Sequence, residues 1–375
     1  MKIVLTGGGT GGHFYPIVAI ATAIRTVARE EKIIAPQIYY MAETQYDSRV
    51  LFDNEITFIP ISAGKVRNYF SILNFFDLFK TAWGVIKATI DMFSIYPDVV
   101  FGKGGYVSFP ALFAARILRI PVIIHESDST AGKVNKWASK FAQKIAVSYK
   151  EAADDFPTDK VAFTGNPIRP ELITPLKNGA YEFLKLDPNT PTILIIGGSQ
   201  GSQIMNDTIL DILPGLVEKY QIIHQTGKNN FKDVSGRAQI VLQNNQNKER
   251  YHPYDYLNIL ALRMVAGIAE LVVSRAGSTI FEIACWGIPS ILIPIEKSNG
   301  DHQRKNAFSY AREGGAVVLE EPNLTPNVLS GEICRLMDNL VLREKMSQSA
   351  RVFAHTDSAT VIAKEIVSIA LRHEN

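Results

Sequence analysis

Two glycine-rich loops, each reached straight from an apolar run and each followed by a helical pattern, constrain this chain more than any other feature. The first is Gly7-Gly8-Gly9-Thr10-Gly11-Gly12-His13 after Ile3-Val4-Leu5. The second is Gly197-Gly198-Ser199-Gln200-Gly201 after Thr192-Ile193-Leu194-Ile195-Ile196. Glycine lets backbone N–H groups turn toward an anion without obstruction by a Cβ, and the helix that follows adds its positive end. One such unit at the head of each half predicts two phosphate-seeking surfaces facing each other across a cleft.

At 375 residues the chain exceeds what one core usually supports, so two domains are expected. Apolar strand runs alternate with helical patterns throughout. Strands are expected at 2–6, 37–42, 57–60, 98–101, 121–124, 144–147 and 160–163, then at 191–196, 221–225, 238–242, 270–274, 289–294 and 315–319. Pro16 should open a first helix over 15–30. This alternation predicts an α/β chain with one doubly wound parallel sheet per half. Gly165-Asn166-Pro167-Ile168-Arg169-Pro170 marks the break, giving an N-terminal domain over 1–168 and a C-terminal domain over 169–355. The segment from Asp357 to Arg372 reads as a capped amphipathic helix. It either returns to the first domain, as part of 356–375, or ends the second.

Composition excludes several classes. A net charge of +2 carries no electrostatic signature of nucleic-acid binding. Cys285 and Cys334 are the only cysteines, so a disulfide scaffold is excluded and a reducing compartment expected. Met1-Lys2 leads directly into a strand pattern without a signal peptide, and no run of eighteen apolar residues is present. A cytoplasmic location follows as an expectation, with attachment to a membrane surface left open.

Gly7, Gly9 and Gly12 satisfy G-x-G-x-x-G, which alone also fits a nicotinamide or flavin enzyme. His13 follows the loop and reads either as a helix N-terminal residue or as a general base beside an anionic substrate. A third glycine cluster, Gly102-Lys103-Gly104-Gly105-Tyr106, and the segment His125-Glu126-Ser127-Asp128 both leave expected strands at their carboxyl ends, where open parallel sheets bind ligands. Each also admits a plain reading, as a tight turn and as helix caps. In the second half, Ser274-Arg275-Ala276-Gly277-Ser278-Thr279 precedes a helix carrying Glu282. A carboxylate there suits ribose hydroxyls, or simply the helix dipole. Asp301-His302-Gln303 opens another helix with donors suited to sugar hydroxyls. No paired-carboxylate hydrolase signature, Cys–His metal cluster or G-x-S-x-G elbow occurs.

The stretch 66–96 carries Tyr69, Phe70, Phe75, Phe76, Phe79, Trp83 and Phe93 among Lys65, Arg67, Lys80 and Lys87. So many large apolar groups exceed one buried helix face. The stretch reads as an interfacial membrane site, with a buried helix pair as the alternative.

In order along the chain, GGGTGGHFYP at 7–16, GKGGYVSFPA at 102–111, HE at 125–126, AGKVNKWASKFA at 131–142, GNPIR at 165–169, GGSQGS at 197–202, HQTGK at 224–228, SRAGSTIFE at 274–282 and DHQRKNA at 301–307 resemble the MurG family. That family consists of UDP-N-acetylglucosamine:lipid I N-acetylglucosaminyltransferases of peptidoglycan synthesis. The resemblance implies a GT-B fold of two Rossmann-like domains. The N-terminal one would hold the lipid acceptor and the C-terminal one most of the UDP-sugar. It implies His13 and Glu126 as catalytic residues. Thr10, Gly11, Gly12, Asp128, Arg169, Ser199, Ile259, Ser278, Thr279, Glu282 and Gln303 would bind UDP-N-acetylglucosamine, and Gly104, Gly105 and Tyr106 would form an acceptor loop. It implies no obligatory cofactor or metal, no nucleic-acid partner, and a peripheral place on the cytoplasmic face of the membrane through 66–96.

This chain departs from the family pattern twice. Asp128 stands where the family usually has Asn, which keeps an acceptor oxygen and loses an amide donor. SRAGSTIFE is one residue shorter than usual between its arginine and glutamate. The implied reaction is inverting transfer of N-acetylglucosamine to the 4-hydroxyl of lipid I, with His13 assisting. Rivals are a diacylglycerol glycosyltransferase, a UDP-N-acetylglucosamine 2-epimerase, a dinucleotide oxidoreductase and a non-catalytic nucleotide sensor.

Overall fold

The computed structural model describes residues 1–65, 73–198 and 201–374. The chain divides into two compact units. Unit 1 is Met1–Arg169 together with Thr356–Asn375, and unit 2 is Pro170–His355.

Unit 1 holds a seven-stranded, all-parallel sheet of β1 (Lys2–Thr6), β2 (Gln37–Ala42), β3 (Ile56–Pro60), β4 (Val99–Gly102), β5 (Val122–Glu126), β6 (Lys144–Val147) and β7 (Val161–Phe163). Their order is β3-β2-β1-β4-β5-β6-β7, with Ile3 paired to Ile38 on one side and to Val99 on the other. The order reverses beside β1, so the loops after β1 and β4 emerge at one switch point. The central strands are buried on both faces, hence their unbroken apolar runs. On one face the helix Gly11–Glu30 packs Ile17, Ile20, Ile24 and Val27 into a core shared with Ile362, Ile366, Val367 and Ile369 of the helix Ser358–Glu374. That helix is also anchored at its start, where the Ser358 hydroxyl donates to the Gly165 carbonyl at 2.8 Å.

The helix Gly11–Glu30 begins four residues before the expected 15–30, and Pro16 is its sixth residue rather than its first. The only backbone donor that proline removes is the one facing the Gly12 carbonyl, close to the helix start, where the ladder is incomplete in any case. The correction matters because it places Gly11, Gly12 and His13 inside the first turn.

Unit 2 holds a six-stranded parallel sheet of β8 (Thr192–Ile196), β9 (Gln221–Gln225), β10 (Tyr251–Tyr254), β11 (Ala269–Ser274), β12 (Ser290–Leu292) and β13 (Ala316–Val318), in the order β10-β9-β8-β11-β12-β13. One sequence expectation fails here, and a strand stands where none is expected. The run 238–242 is not a strand. It ends the helix Phe231–Val241, with Val234, Ala238 and Leu242 buried four residues apart while Ile240 is exposed. The strand in that place is Tyr251-His252-Pro253-Tyr254, whose proline reads against a strand. It occupies the sheet edge, where a missing N–H leaves no neighbour unpaired.

The helix Leu73–Ile95 covers the described part of the aromatic stretch; residues 66–72 lie outside the described residues. Its inner face is small and periodic. Ala88 and Met92 are buried, and a Cβ on Gly84 would come within 1.7 Å of the Ser62 carbonyl oxygen. Its outer face exposes Phe75, Phe76, Leu78, Phe79, Trp83, Ile86, Ile90 and Phe93, each at least half exposed, up to 70% for Phe93. The buried-pair alternative is therefore excluded for this helix. Its two lysines are paired, Lys80 with Glu43 and Lys87 with Asp91. Among the described residues no helix is long and apolar enough to cross a membrane.

Candidate active site

Three loops of unit 1 meet at the carboxyl end of its sheet. Thr10 caps the helix Gly11–Glu30, its carbonyl accepting from the N–H of His13 and of Phe14. The Thr10 hydroxyl lies 3.1 Å from His13 Nδ1. The other ring nitrogen faces the second loop, since a Cβ on Gly105 would sit 3.7 Å from His13 Nε2. Gly105 has φ +75°, which a side chain would strain, so glycine here both makes the turn and leaves room beside the imidazole. Where the Thr10 hydroxyl accepts from Nδ1–H, Nε2 carries the lone pair and the imidazole is set as a base.

Tyr106 follows, with its hydroxyl donating to Glu43 at 3.1 Å, the carboxylate that also pairs Lys80. Burial comes first and the Glu43 charge second in raising the Tyr106 pKa, so it stays a neutral phenol. Glu126 is placed differently from a residue that meets substrate. Its carboxylate is buried and accepts from Asp128 N–H at 3.1 Å, Gly132 N–H at 2.9 Å and Asn135 Nδ2 at 2.9 Å. Burial, with the Asp128 charge next, raises its pKa. Glu126 thus shapes the loop 126–135, and Asp128 is the half-buried carboxylate at its tip. Arg169, the last residue of the first segment of unit 1, is only 8% exposed, with its guanidinium carbon 4.0 Å from the centroid of the Tyr15 ring.

A buried cation underlies these loops. Lys103 is fully enclosed, and its ammonium donates to His125 Nδ1 at 2.6 Å, Ser127 Oγ at 2.6 Å and Asn166 Oδ1 at 2.8 Å. A carbonyl can only accept, so the 3.1 Å contact of His125 Nε2 with the Gly165 carbonyl puts the ring proton on Nε2. Nδ1 is then the lone pair that meets the ammonium. Burial first, then the neighbouring ammonium, hold His125 neutral, with its pKa well below the usual value. Burial lowers Lys103 to about 7 against the pull of Glu126 and Asp128. Motif reading missed Lys103 as a site-building residue, although it stands inside the quoted glycine cluster.

In unit 2 the corresponding edge is built on Arg275 and Gln225. Arg275 donates to the Ser202 hydroxyl, to the Ile293 carbonyl at 2.9 Å and to Glu321 at 2.5 Å, so one guanidinium binds the loops after β8, β12 and β13. Ser202 in turn caps the helix Gln203–Lys219. Gln225, the last residue of β9, accepts from Leu257 N–H at 3.0 Å and reaches the Gly198 carbonyl at 3.4 Å. It therefore links the glycine loop to the segment leading into Ile259, the first residue of the helix Ile259–Ile268. Gly201, at φ +77°, passes so close to β9 that a Cβ would meet the Thr226 carbonyl at 2.1 Å. Ser278 precedes the helix Thr279–Trp286, and Glu282 lies in its first turn. The Gln303 side chain accepts from Ile295 N–H at 3.1 Å and so braces the loop after β12. Ser199 lies outside the described residues. The structure thus gathers Thr10 to His13, Gly104 to Tyr106, Asp128 and Arg169 at one edge of unit 1, and Ile259, Ser278, Thr279, Glu282 and Gln303 on loops and helix starts of unit 2. Arg275 and Gln225 carry a signal, since both stand at or just beyond the carboxyl end of a strand.

Two all-parallel sheets, each with a glycine-rich loop leaving its first strand at the carboxyl edge, are the Rossmann-like units of the GT-B class. Residues 3–147 match the glycosyltransferase family 28 N-terminal domain and residues 192–366 its C-terminal domain. The chain is 38% identical, over 90% of its length and 92% of the relative's, to UDP-N-acetylglucosamine–N-acetylmuramyl-(pentapeptide) pyrophosphoryl-undecaprenol N-acetylglucosamine transferase 3 of Bacillus thuringiensis (strain Al Hakam). Among solved structures it is similar to Acinetobacter baumannii MurG, with a TM-score of 0.72, 26% identity, and 98% and 99% of the two chains covered. A putative UDP-N-acetylglucosamine 2-epimerase from Listeria monocytogenes gives a TM-score of 0.72 over 100% and 97% of the chains but only 16% identity, a likeness of fold alone. The chain belongs to the MurG family of glycosyltransferases.

Proposed function

We propose that this enzyme transfers N-acetylglucosamine from its UDP ester to the 4-hydroxyl of the muramoyl sugar of lipid I, with inversion, forming lipid II. The acceptor oxygen attacks the anomeric carbon as its proton passes to His13 Nε2. The bond from that carbon to the diphosphate breaks, and UDP leaves from the opposite face. The observation that carries this reading is the placement of His13: one ring nitrogen beside Thr10 Oγ, the other beside Gly105, within a loop whose backbone suits an anion. Thr10, Gly11 and Gly12 meet substrate phosphates, and Gly104, Gly105 and Tyr106 line the acceptor side. Arg169 and Ser199 receive the charge that develops on the diphosphate. Ile259 lies by the uracil, Ser278 and Thr279 present a helix start to the nucleotide, Glu282 holds the ribose and Gln303 the sugar. Asp128 contacts the donor. Glu126 acts on catalysis by fixing the loop that carries Asp128. No cofactor or metal is required in this scheme.

The outer face of Leu73–Ile95 supports a peripheral location on the cytoplasmic membrane surface, where the polyprenyl acceptor resides. The test is incubation of the purified protein with radiolabelled UDP-N-acetylglucosamine and a lipid I analogue. A labelled disaccharide lipid is expected. Product on diacylglycerol instead, or an epimerised sugar nucleotide without any acceptor, overturns the assignment.

A further inference from the structure

We propose that Glu43 is a positioning residue for the acceptor, holding the Tyr106 hydroxyl in place while Lys80 balances its charge. This rests on the reading of Gly104, Gly105 and Tyr106 as the acceptor side of the site. The two oxygens of the carboxylate are divided between two partners. Oε2 accepts from the Tyr106 hydroxyl at 3.1 Å, and Oε1 pairs with the Lys80 ammonium. A phenol that donates to a charged oxygen is held more firmly than one that donates to a neutral oxygen. Glu43 comes from the loop after β2, Tyr106 from the segment after β4 and Lys80 from the helix Leu73–Ile95, so three separate elements meet at one carboxylate.

Each of the three is anchored elsewhere. Past Glu43, Asp47 caps the helix Ser48–Asp53 by accepting from the N–H of Arg49 and of Val50, each at 3.1 Å. Between them Tyr46 packs on Phe14 with ring centroids 5.0 Å apart, and a Cβ on Gly11 would come within 2.7 Å of its hydroxyl, so the segment 43–47 lies against the glycine loop. The Ser108 hydroxyl donates to the Gly105 carbonyl at 2.8 Å and closes the turn around Tyr106. The helix of Lys80 is held where Thr81 Oγ1 accepts from Gly64 N–H at 3.0 Å. The carboxylate therefore joins parts that are already fixed, and what it decides is the direction of the phenol. A lipid acceptor with a diphosphate is anionic, so an unbalanced carboxylate beside it would repel it. Lys80 removes that repulsion. Loss of the lysine should harm acceptor binding only while the carboxylate remains.

The test uses the full chain and a short-chain, water-soluble lipid I analogue, which keeps membrane attachment out of the measurement. Both side chains of the pair are partly exposed, 25% for Glu43 and 45% for Lys80, so the variants should fold as wild type does. Lys80→Met should raise KM for the analogue by about 2- to 5-fold at low salt. Adding Glu43→Gln should bring it back to the level of Glu43→Gln alone. Glu43→Ala should raise that KM by about 3- to 10-fold, with no further loss once Tyr106→Phe is present. KM for UDP-N-acetylglucosamine should be unchanged in every variant, which a general loosening of unit 1 would not allow. If Tyr106→Ala and Gly105→Ala both leave KM for the analogue at its wild-type value, the reading of this loop as the acceptor side falls. If either raises it while Glu43→Ala does not, or if Lys80→Met is as damaging in the Glu43→Gln background as alone, the Glu43 inference alone falls.

Discussion

The ammonium of Lys103 donates to Nδ1 of His125 at 2.6 Å, and the opposite nitrogen of that ring donates to the carbonyl of Gly165 at 3.1 Å. A buried charge, a neutral imidazole and the backbone where the chain leaves unit 1 are thereby joined in series. Replacing Lys103 with Met strands acceptors on His125, Ser127 and Asn166 while removing the countercharge to Glu126 and Asp128. Unit 1 should lose about 3–5 kcal/mol of stability, measured by urea unfolding followed through a probe confined to that unit.

His13→Ala should reduce kcat by about 10²- to 10⁴-fold with little change in UDP affinity. Thr10→Val removes only the partner of Nδ1 and should have a smaller effect of the same kind. A loss well under tenfold for His13→Ala in single-turnover assays rejects this histidine as the base.

The two faces of the helix Leu73–Ile95 should respond oppositely. Phe79→Ser with Trp83→Ser alters exposed groups and should change stability by no more than about 0.5 kcal/mol per site, while weakening co-sedimentation with anionic phospholipid vesicles. Gly84→Leu drives a side chain into the Ser62 carbonyl and should cost about 3 kcal/mol or more. Thermal unfolding beside vesicle binding separates the outcomes, and unchanged vesicle binding in the double serine variant removes this face from the membrane.

Much of the architecture is legible in the chain because parallel strands buried on both faces must be apolar along their length, as Ile193-Leu194-Ile195-Ile196 is. The segment 238–242 misleads for that very reason: its apolar residues follow a helical period that becomes visible only when Val234 is counted with Ala238 and Leu242. Pro253 hides an edge strand. The loops that carry His13, Gly104 and Glu282 announce themselves through glycine and strand ends. Lys103 does not, because a lone cation reads as surface until its acceptors, lying 22 to 63 residues away, come together in space.

Acid should weaken unit 2 through His224. Its Nδ1 accepts from the Tyr251 hydroxyl at 2.9 Å and its Nε2 donates to Asn206 at 3.1 Å, and burial lowers its pKa from 6.5 to about 3. Between those values the unfolded chain takes up a proton that the folded unit refuses. Stability from this group is complete above pH 6.5 and should fall by about 1.4 kcal/mol per pH unit as pH drops toward 3. Urea midpoints of wild type and His224→Gln from pH 7 to pH 4.5 measure the difference in slope, and parallel curves contradict the assignment.

Arg275→Met should uncouple the loops after β8, β12 and β13, leaving the partly buried Glu321 without its cation. A loss of about 3–5 kcal/mol is expected, with UDP binding weakened beyond what unfolding explains. Calorimetric titration at a temperature where the variant remains folded tests this, and wild-type affinity there refutes it.

The packing of Ser358–Glu374 against Gly11–Glu30 has a consequence for biosynthesis. The ribosome makes all of unit 2 between the two halves of this helix pair. Until the later helix emerges, the face of Gly11–Glu30 that it covers stays open to solvent beside the loop that carries His13. Nascent chains stalled before codon 358 should thus be captured by chaperones through a segment translated hundreds of residues earlier, and the maturation of the loop that carries His13 is timed by the completion of its distant complement.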